Sequence, residues 1–204
     1  MKYNTIYNDP TPRSRVSNAW SYWDDGFTNE ELQKIIDYCE SEGTHRGTIF
    51  SGNQEETERV RKSNVKFHSR NDSTAWIFDR LNFIIQATNE RFYNFDLNGY
   101  ESFQYTTYNA DEQGEYNWHM DMCLNHMPDN MYETRKLSMT LQLNDDYEGG
   151  EFQINNGDEA GAVTPEMKKG RALFFPSFMC HRVKPVTKGI RRSIVVWVVG
   201  PKFI

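Results

Sequence analysis

The sequence predicts an α+β chain, mainly β, in which helices of the first half brace a sandwich or jelly roll in the second. Three observations lead there. Apolar residues recur at helical spacing between residues 28 and 42 and again between about 72 and 92. Beyond them the apolar period falls to two, in short runs rich in β-branched and aromatic residues. Turn-forming clusters, "NDDYEGG", "NNGDEAG", "TPEMKKG" and "KPVTKG", separate those runs.

The elements follow in order. Trp20, Tyr22 and Trp23 read as packing anchors, although aromatic clusters near an N-terminus also line substrate grooves. In "FTNEELQKIIDYCESEG", Thr28 and Glu31 make a capping box, and Phe27 and Leu32 can staple across it. Leu32, Ile35, Ile36 and Cys39 then form one helix face, and Gly43 ends the helix. Residues 43–58, polar and with three glycines, read as a mobile loop and candidate lid. Arg59, Arg61 and Lys62 read as a solvated basic face. A second helix is expected from about Asp72 to Phe92, with Ile77, Leu81, Ile84, Ile85, Thr88 and Phe92 on one side. In "LSMTLQLN", Leu137, Met139, Leu141 and Leu143 alternate with Ser138, Thr140 and Gln142; "EFQIN", "RALFFP" and "SIVVWVVG" are further strands.

With 204 residues, the chain is long enough to bury about 70% of its unfolded surface without a disulfide or structural metal. No linker interrupts it, so one domain is expected over 1–204, with a helical support region at 1–98 and a jelly-roll core at 99–204. The opening "MKYNTIYNDPTPRSRV" lacks a secretory apolar stretch, and no later run reaches the ~18 to 20 residues of a membrane span. A cytoplasmic protein with no membrane partner is the expectation. Cys39, Cys123 and Cys180, odd in number and without C-x-x-C spacing, read as free thiols. A net charge of −6 argues against binding along a nucleic-acid backbone.

"NWHMDMC" places His119 and Asp121 two residues apart, which on a strand puts both side chains on one face. His181 alternates with the apolar Val183 and so points inward. Two imidazoles and one carboxylate are the facial triad of non-haem Fe(II) oxygenases, whose open positions take a cosubstrate and dioxygen. Three ligands with an open position also describe zinc hydrolases, for which Glu115 is the nearest candidate base in sequence. Arg191 favours the oxygenase. A guanidinium ten residues past His181, in "GIRRSIVVW", suits the far carboxylate of a keto diacid bound in fork geometry. Alternation admits only one of Arg191 and Arg192 to the inner face, and Arg191 is preferred. His126 is a rival ligand in a loop-like segment, and His45 and His68 read as loop or packing residues. Trp118, Met120 and Met122 would make an apolar wall beside the ligands, and Trp197 reads as core.

At these residues the sequence resembles the Fe(II)- and 2-oxoglutarate-dependent dioxygenases of the prolyl hydroxylase, PKHD-like type. Tyr108, Gly114, Tyr116, His119, Asp121, "LSMTLQLNDDYEGGEFQI", Gly170, Pro176, His181, Val183, Pro185, Val186, Gly189, Arg191 and Trp197 match in order. With "RVRKSNV" and "WIFDRLNFIIQATNERFYNFDL" upstream, the resemblance covers residues 59–204, about 70% of the chain. It implies a double-stranded β-helix, the jelly roll with iron at its open end. It also implies that His119, Asp121 and His181 hold the metal, that Arg191 holds the distal carboxylate of 2-oxoglutarate, and that Tyr108 hydrogen-bonds this cosubstrate. "YNADEQGEYNWHMD" has a longer turn than the family's usual spacing, so Tyr105 or Tyr116 could stand in for Tyr108. The implied reaction is hydroxylation of an unactivated C–H bond, with release of succinate and CO2 and with ascorbate as an optional reductant. The implied substrate is a prolyl residue of a peptide or protein. A free amino acid, a nucleobase, or a jelly roll that binds metal without turnover are the alternatives.

Overall fold

The computed structural model describes residues 19–49, 53–122, 133–155 and 159–202. Helix α1 spans Asn29–Ser41 and is capped as expected: the Glu31 N–H donates to Thr28 Oγ1 (3.2 Å) and the Thr28 N–H to Glu31 Oε2 (2.9 Å). Its buried face is Leu32, Ile35, Ile36 and Cys39. Gly43 follows at φ +71°, a left-handed position that glycine adopts without strain.

The stretch expected to be a loop carries regular structure. β2 (His45–Arg46) pairs with β4 (Asn64–Ser69), and between them lie helix α2 (Gln54–Val60) and β3 (Arg61–Lys62). α2 has its own capping box, with Asn53 Oδ1 accepting from the Glu56 N–H at 2.9 Å. Residues 50–52 of the proposed lid lie outside the described residues. The second long helix, α3, runs Ala75–Thr88, starting later than the sequence suggested because Asn71 Oδ1 takes the Ser73 and Thr74 N–H groups in a turn. A π-helical turn, Asn89–Tyr93, extends it and rotates Phe92 off the buried face of Ile77, Leu81, Ile84, Ile85 and Thr88.

The remaining strands are β1 (Ser21–Trp23), β5 (Ser102–Asn109), β6 (Glu115–His119), β7 (Glu133–Gln142), β8 (Glu148–Gly149), β9 (Phe152–Asn155), β10 (Ala172–Pro176), β11 (Cys180–Val183), β12 (Val186–Lys188) and β13 (Ile190–Pro201). Seven form a major sheet in the order β1-β10-β7-β13-β5-β4-β2, four a minor sheet in the order β3-β6-β11-β9, and β12 pairs with β8. Every pairing is antiparallel. The mainly β, jelly-roll expectation therefore holds.

Strand alternation assigns the two faces of the major sheet. One face packs Phe103, Tyr105, Leu137, Met139, Leu141, Phe174, Ile194 and Val196 against α1 and α3. The other turns Tyr108, Leu173 and Phe175 toward Phe152, Ile154 and Val183 of the minor sheet. Ser138, Thr140 and Gln142, the polar side of the alternating strand, are buried on this inner side. Between the sheets Thr140 lines a pocket, and Ser138 bonds Asp121 at its edge.

Candidate active site

His119 ends β6, and His181 sits in β11 directly across the ladder from it, so both imidazoles leave the minor sheet on one face. Asp121 follows two residues after His119. Donor atoms of the three lie within 4.8 Å of one another. His119 Nε2 is 3.8 Å from Asp121 Oδ1 and His181 Nε2 is 3.6 Å from Oδ2, too long for hydrogen bonds. Each Nδ1 instead meets a backbone carbonyl, of Asn117 at 2.8 Å and of Met179 at 3.0 Å. A carbonyl can only accept, so the ring proton sits on Nδ1 and the Nε2 lone pair is left for a metal.

The local electrostatics prepare the same protonation states. Burial, reinforced by the neighbouring His181, pushes the His119 pKa down to about 3 against the pull of Asp121, so this imidazole is neutral. Burial works against ionised Asp121, but His181, His119 and the Ser138 hydroxyl together lower its pKa below the usual carboxylate range. Ser138 Oγ donates to Asp121 Oδ2 at 2.7 Å and lies 2.9 Å from Ser177 Oγ. The Ser177 carbonyl accepts the N–H groups of Asp121 (3.1 Å) and Met122 (2.9 Å). Two serines thus orient the carboxylate, and neither was singled out from the sequence.

Arg191 is opposite Tyr108 in the β13–β5 ladder and is 1% exposed. Its Nη1 donates to Ser193 Oγ at 3.3 Å, while Nε and Nη2 have no hydrogen-bond partner among the described residues. A buried guanidinium with unsatisfied donors costs several kcal/mol, roughly, unless an anion completes it. Gly150 makes room for its stem: at φ +65°, a Cβ there would lie 2.9 Å from Val186 Cγ2 and 3.1 Å from Arg191 Cδ. The glycines of "YEGGEF" do more than turn the chain. Arg192 faces the other way, its Nε donating to Glu40 Oε1 of α1 at 2.7 Å.

Arg191, His119, Asp121 and His181 line one pocket with Arg61, Gln104, Tyr108, Tyr116, Thr140, Phe152, Phe175, Val183, Ser193, Val195 and Trp197. Tyr108 is buried beside Arg191, its ring centroid 5.5 Å from the guanidinium carbon, and burial raises its pKa. Tyr105 instead faces the helices, its hydroxyl 3.3 Å from Glu40, and does not line the pocket. Tyr116 lines the pocket but lies flat on the His119 ring.

Other expectations are corrected. The apolar wall is Phe152, Phe175 and Val183. Met120 is 57% exposed, Met122 is buried outside the pocket lining, and Trp118 stacks under Arg182 at 4.4 Å. Trp197, read as core from its apolar strand but near the pocket by the resemblance, lines the pocket with Arg135 over its ring at 4.0 Å. Glu115 pairs with Lys62 at 3.3 Å and is absent from the pocket lining, which leaves the hydrolase reading without its base. Arg61, read as solvated, is buried at the pocket. His68 packs on Phe103, as expected, while His126 and Cys123 fall outside the described residues.

Residues 103–199 match the model of the 2OG-Fe(II) oxygenase superfamily. The matched segment, just under half of the chain, carries His119, Asp121, His181 and Arg191. Over 86 residues the chain is 43% identical to a PKHD-type hydroxylase of Psychrobacter sp., covering 41% of this chain and 32% of that one. Over 138 residues it is 28% identical to a PKHD-type hydroxylase of Escherichia coli, covering 66% and 60%. The chain thus spans between about a third and three fifths of the length of these curated relatives.

The chain's fold is shared with a Pseudomonas putida prolyl-4-hydroxylase (TM-score 0.68, 16% identity, 91% of this chain and 95% of that one). It is also shared with a Trichoplax adhaerens prolyl hydroxylase solved with a peptide fragment of a hypoxia-inducible factor (TM-score 0.71, 18% identity, 89% and 84%). The resemblance to PKHD-like oxygenases read from the sequence is borne out, and Fe(II) and 2-oxoglutarate are the cofactors of such a domain. The pocket fits them: two imidazole nitrogens and a carboxylate suit a divalent metal, and the unsatisfied Arg191 donors suit a carboxylate. Among the described residues no helix is long and apolar enough to cross a membrane.

Proposed function

We propose that this chain hydroxylates an unactivated C–H bond of a prolyl residue in a peptide or protein, as an Fe(II)- and 2-oxoglutarate-dependent dioxygenase. One observation carries the reading: the His119, Asp121 and His181 donors share a pocket with a buried guanidinium whose Nε and Nη2 lack partners among the described residues. In this reading the three donors hold the iron, Arg191 takes the distal carboxylate of 2-oxoglutarate, and Tyr108 lies beside that carboxylate. Bound there with O2, the two cofactors supply oxidative decarboxylation of the keto acid to succinate and CO2, coupled to transfer of one oxygen atom to substrate.

The chain's own residues do the rest. Ser138 keeps Asp121 ionised and aimed, the two backbone carbonyls fix the imidazole tautomers, and Phe152, Phe175 and Val183 keep bulk water from the reacting centre. The peptide-bound Trichoplax neighbour supports a peptide or protein substrate, and the prolyl choice extends that likeness. We place the enzyme in the cytoplasm, a reading that the free thiols of Cys39 and Cys180 support.

The test is anaerobic addition of Fe(II) and then 2-oxoglutarate to wild type and Arg191→Ala. A metal-to-keto-acid charge-transfer band in wild type that is weakened in the variant is expected; its absence despite bound iron would refute the cosubstrate site. Proline-rich peptides should then raise succinate output above the uncoupled rate. If only a free amino acid or nucleobase does so, the prolyl assignment is wrong.

A further inference from the structure

We propose that Arg61 is a positioning residue for His119, acting through the ring of Tyr116; the proposal rests on reading His119, Asp121 and His181 as the iron site. Arg61 is 6% exposed, and β3 sets it directly across from Tyr116 of β6. Its guanidinium carbon lies 4.7 Å from the centre of the Tyr116 ring. That ring lies on the His119 imidazole, centroids 3.5 Å apart and planes 12° from parallel. Cation, phenol and imidazole form a three-layer stack that ends on the ligand.

The cation is held in place by design of its surroundings. Arg61 Nε donates to Ser63 Oγ at 2.7 Å and Nη1 to the Thr48 carbonyl at 3.0 Å. Gly47 leaves the space it needs, since a Cβ there would lie 2.8 Å from both Arg61 Nε and Ser63 Oγ. Neither partner is a carboxylate, so the favourable interaction left to the charge is with the π face of Tyr116.

His119 needs such support and His181 does not. β11 is an inner strand flanked by β6 and β9, and His181 is wedged near Phe175 (4.6 Å) and Phe152 (5.5 Å). Among the described residues, β6 pairs on its outer side only with the two-residue β3, which carries Arg61. Without the stack, the His119 ring would be fixed on that side by its single Nδ1 contact to the carbonyl of Asn117, itself an exposed residue. Ligand orientation of this kind acts on metal affinity more than on fold.

The test measures Co(II) binding to the metal-free protein by competitive titration, with circular dichroism confirming fold. Arg61→Met should lower affinity about ten-fold or more. Tyr116→Phe, which keeps the ring, should bind like wild type, and Tyr116→Leu should match Arg61→Met. The double variant Arg61→Met/Tyr116→Leu should be no weaker than Tyr116→Leu alone, because Arg61 acts through that ring. Wild-type affinity in Arg61→Met, or an undiminished further loss in the double variant, overturns the proposal; so does an effect confined to the KM for a peptide. Should Arg61→Met not fold, Gly47→Ala decides, since it displaces the guanidinium while keeping its charge: weaker Co(II) binding supports the stack and wild-type binding refutes it. His119→Ala separates the two levels of inference. If wild type binds Co(II) no better than His119→Ala, the iron-site reading itself fails and the proposal with it.

Discussion

Replacing Arg191 by methionine should make the ligand-free protein more stable and abolish its response to 2-oxoglutarate. The guanidinium is 1% exposed, and two of its three nitrogens lack a partner among the described residues, so the folded state carries an uncompensated charge. Exchanging buried ionic groups for apolar side chains of similar volume is often stabilising by about 1 to 4 kcal/mol. Because Nη1 keeps its bond to Ser193, a gain near the middle of that range, about 2 kcal/mol, is expected. In a chain of this size that corresponds to a melting temperature higher by about 4 to 8 °C. Wild type loaded with Mn(II) should gain about 2.7 kcal/mol when 2-oxoglutarate is present at a hundred times its Kd, roughly 5 to 11 °C. The variant should gain nothing from the keto acid. Differential scanning fluorimetry of both proteins, with and without Mn(II) and 2-oxoglutarate, gives the four values. A variant that melts below wild type when empty, or that still responds to the keto acid, would show that Arg191 is a structural residue already satisfied in the fold.

Three further outcomes follow. Ser138→Ala removes the 2.7 Å donor to Asp121 and should weaken Co(II) affinity by about 10- to 100-fold in equilibrium titration with little change in melting temperature. Gly150→Ala puts a Cβ at φ +65° against Val186 and Arg191 and should cost about 1 to 3 kcal/mol in urea melts while weakening 2-oxoglutarate binding. His68 stacks on Phe103 with the Tyr38 ring tilted against it, and its burial, with help from Lys66, lowers its pKa. The folded protein therefore binds fewer protons there than the unfolded chain. The stability from His68 is complete above about pH 6.5 and is lost as pH falls below it, so His68→Phe should flatten the urea-midpoint profile over that acid window.

Much of the site was legible because strands alternate. His119 and Asp121 do converge, although β6 ends at His119 and Asp121 lies just beyond the strand. Alternation admitted only one of Arg191 and Arg192 to the inner face, and the structure turns Arg192 toward Glu40. Tyr108 sits on the inner face with Arg191 for the same reason, and Tyr105, an odd number of residues away, faces the helices. What local pattern could not supply was pairing between distant strands. Arg61 looks like one of three solvated charges until β3 is laid against β6, when Tyr116 appears across from it. Ser138 reads only as one of three polar residues on the opposite face from the leucines, because a sequence does not announce that a second sheet will cover that face. The missed helix α2 is a different case. Asn53 and Glu56 spell a capping box, a signal present in the sequence and masked by the surrounding glycines and polar residues.

The carbonyl of Ser177 accepts two N–H groups from the Asp121 segment, and Ser177 itself lies just ahead of the strand that carries His181. The two parts of the ligand set are far apart along the chain, so their donors come together only when β7, β10 and β11 are all in place. A chain still emerging from synthesis, or one partly unfolded, can offer a metal at most His119 with Asp121, or His181 alone. Long-range closure of this kind comes late in folding, which on the proposed function would tie oxygen activation to the finished molecule. Loss of iron and loss of global structure should therefore occur in a single transition, and half-made copies should be poor sources of stray oxidant.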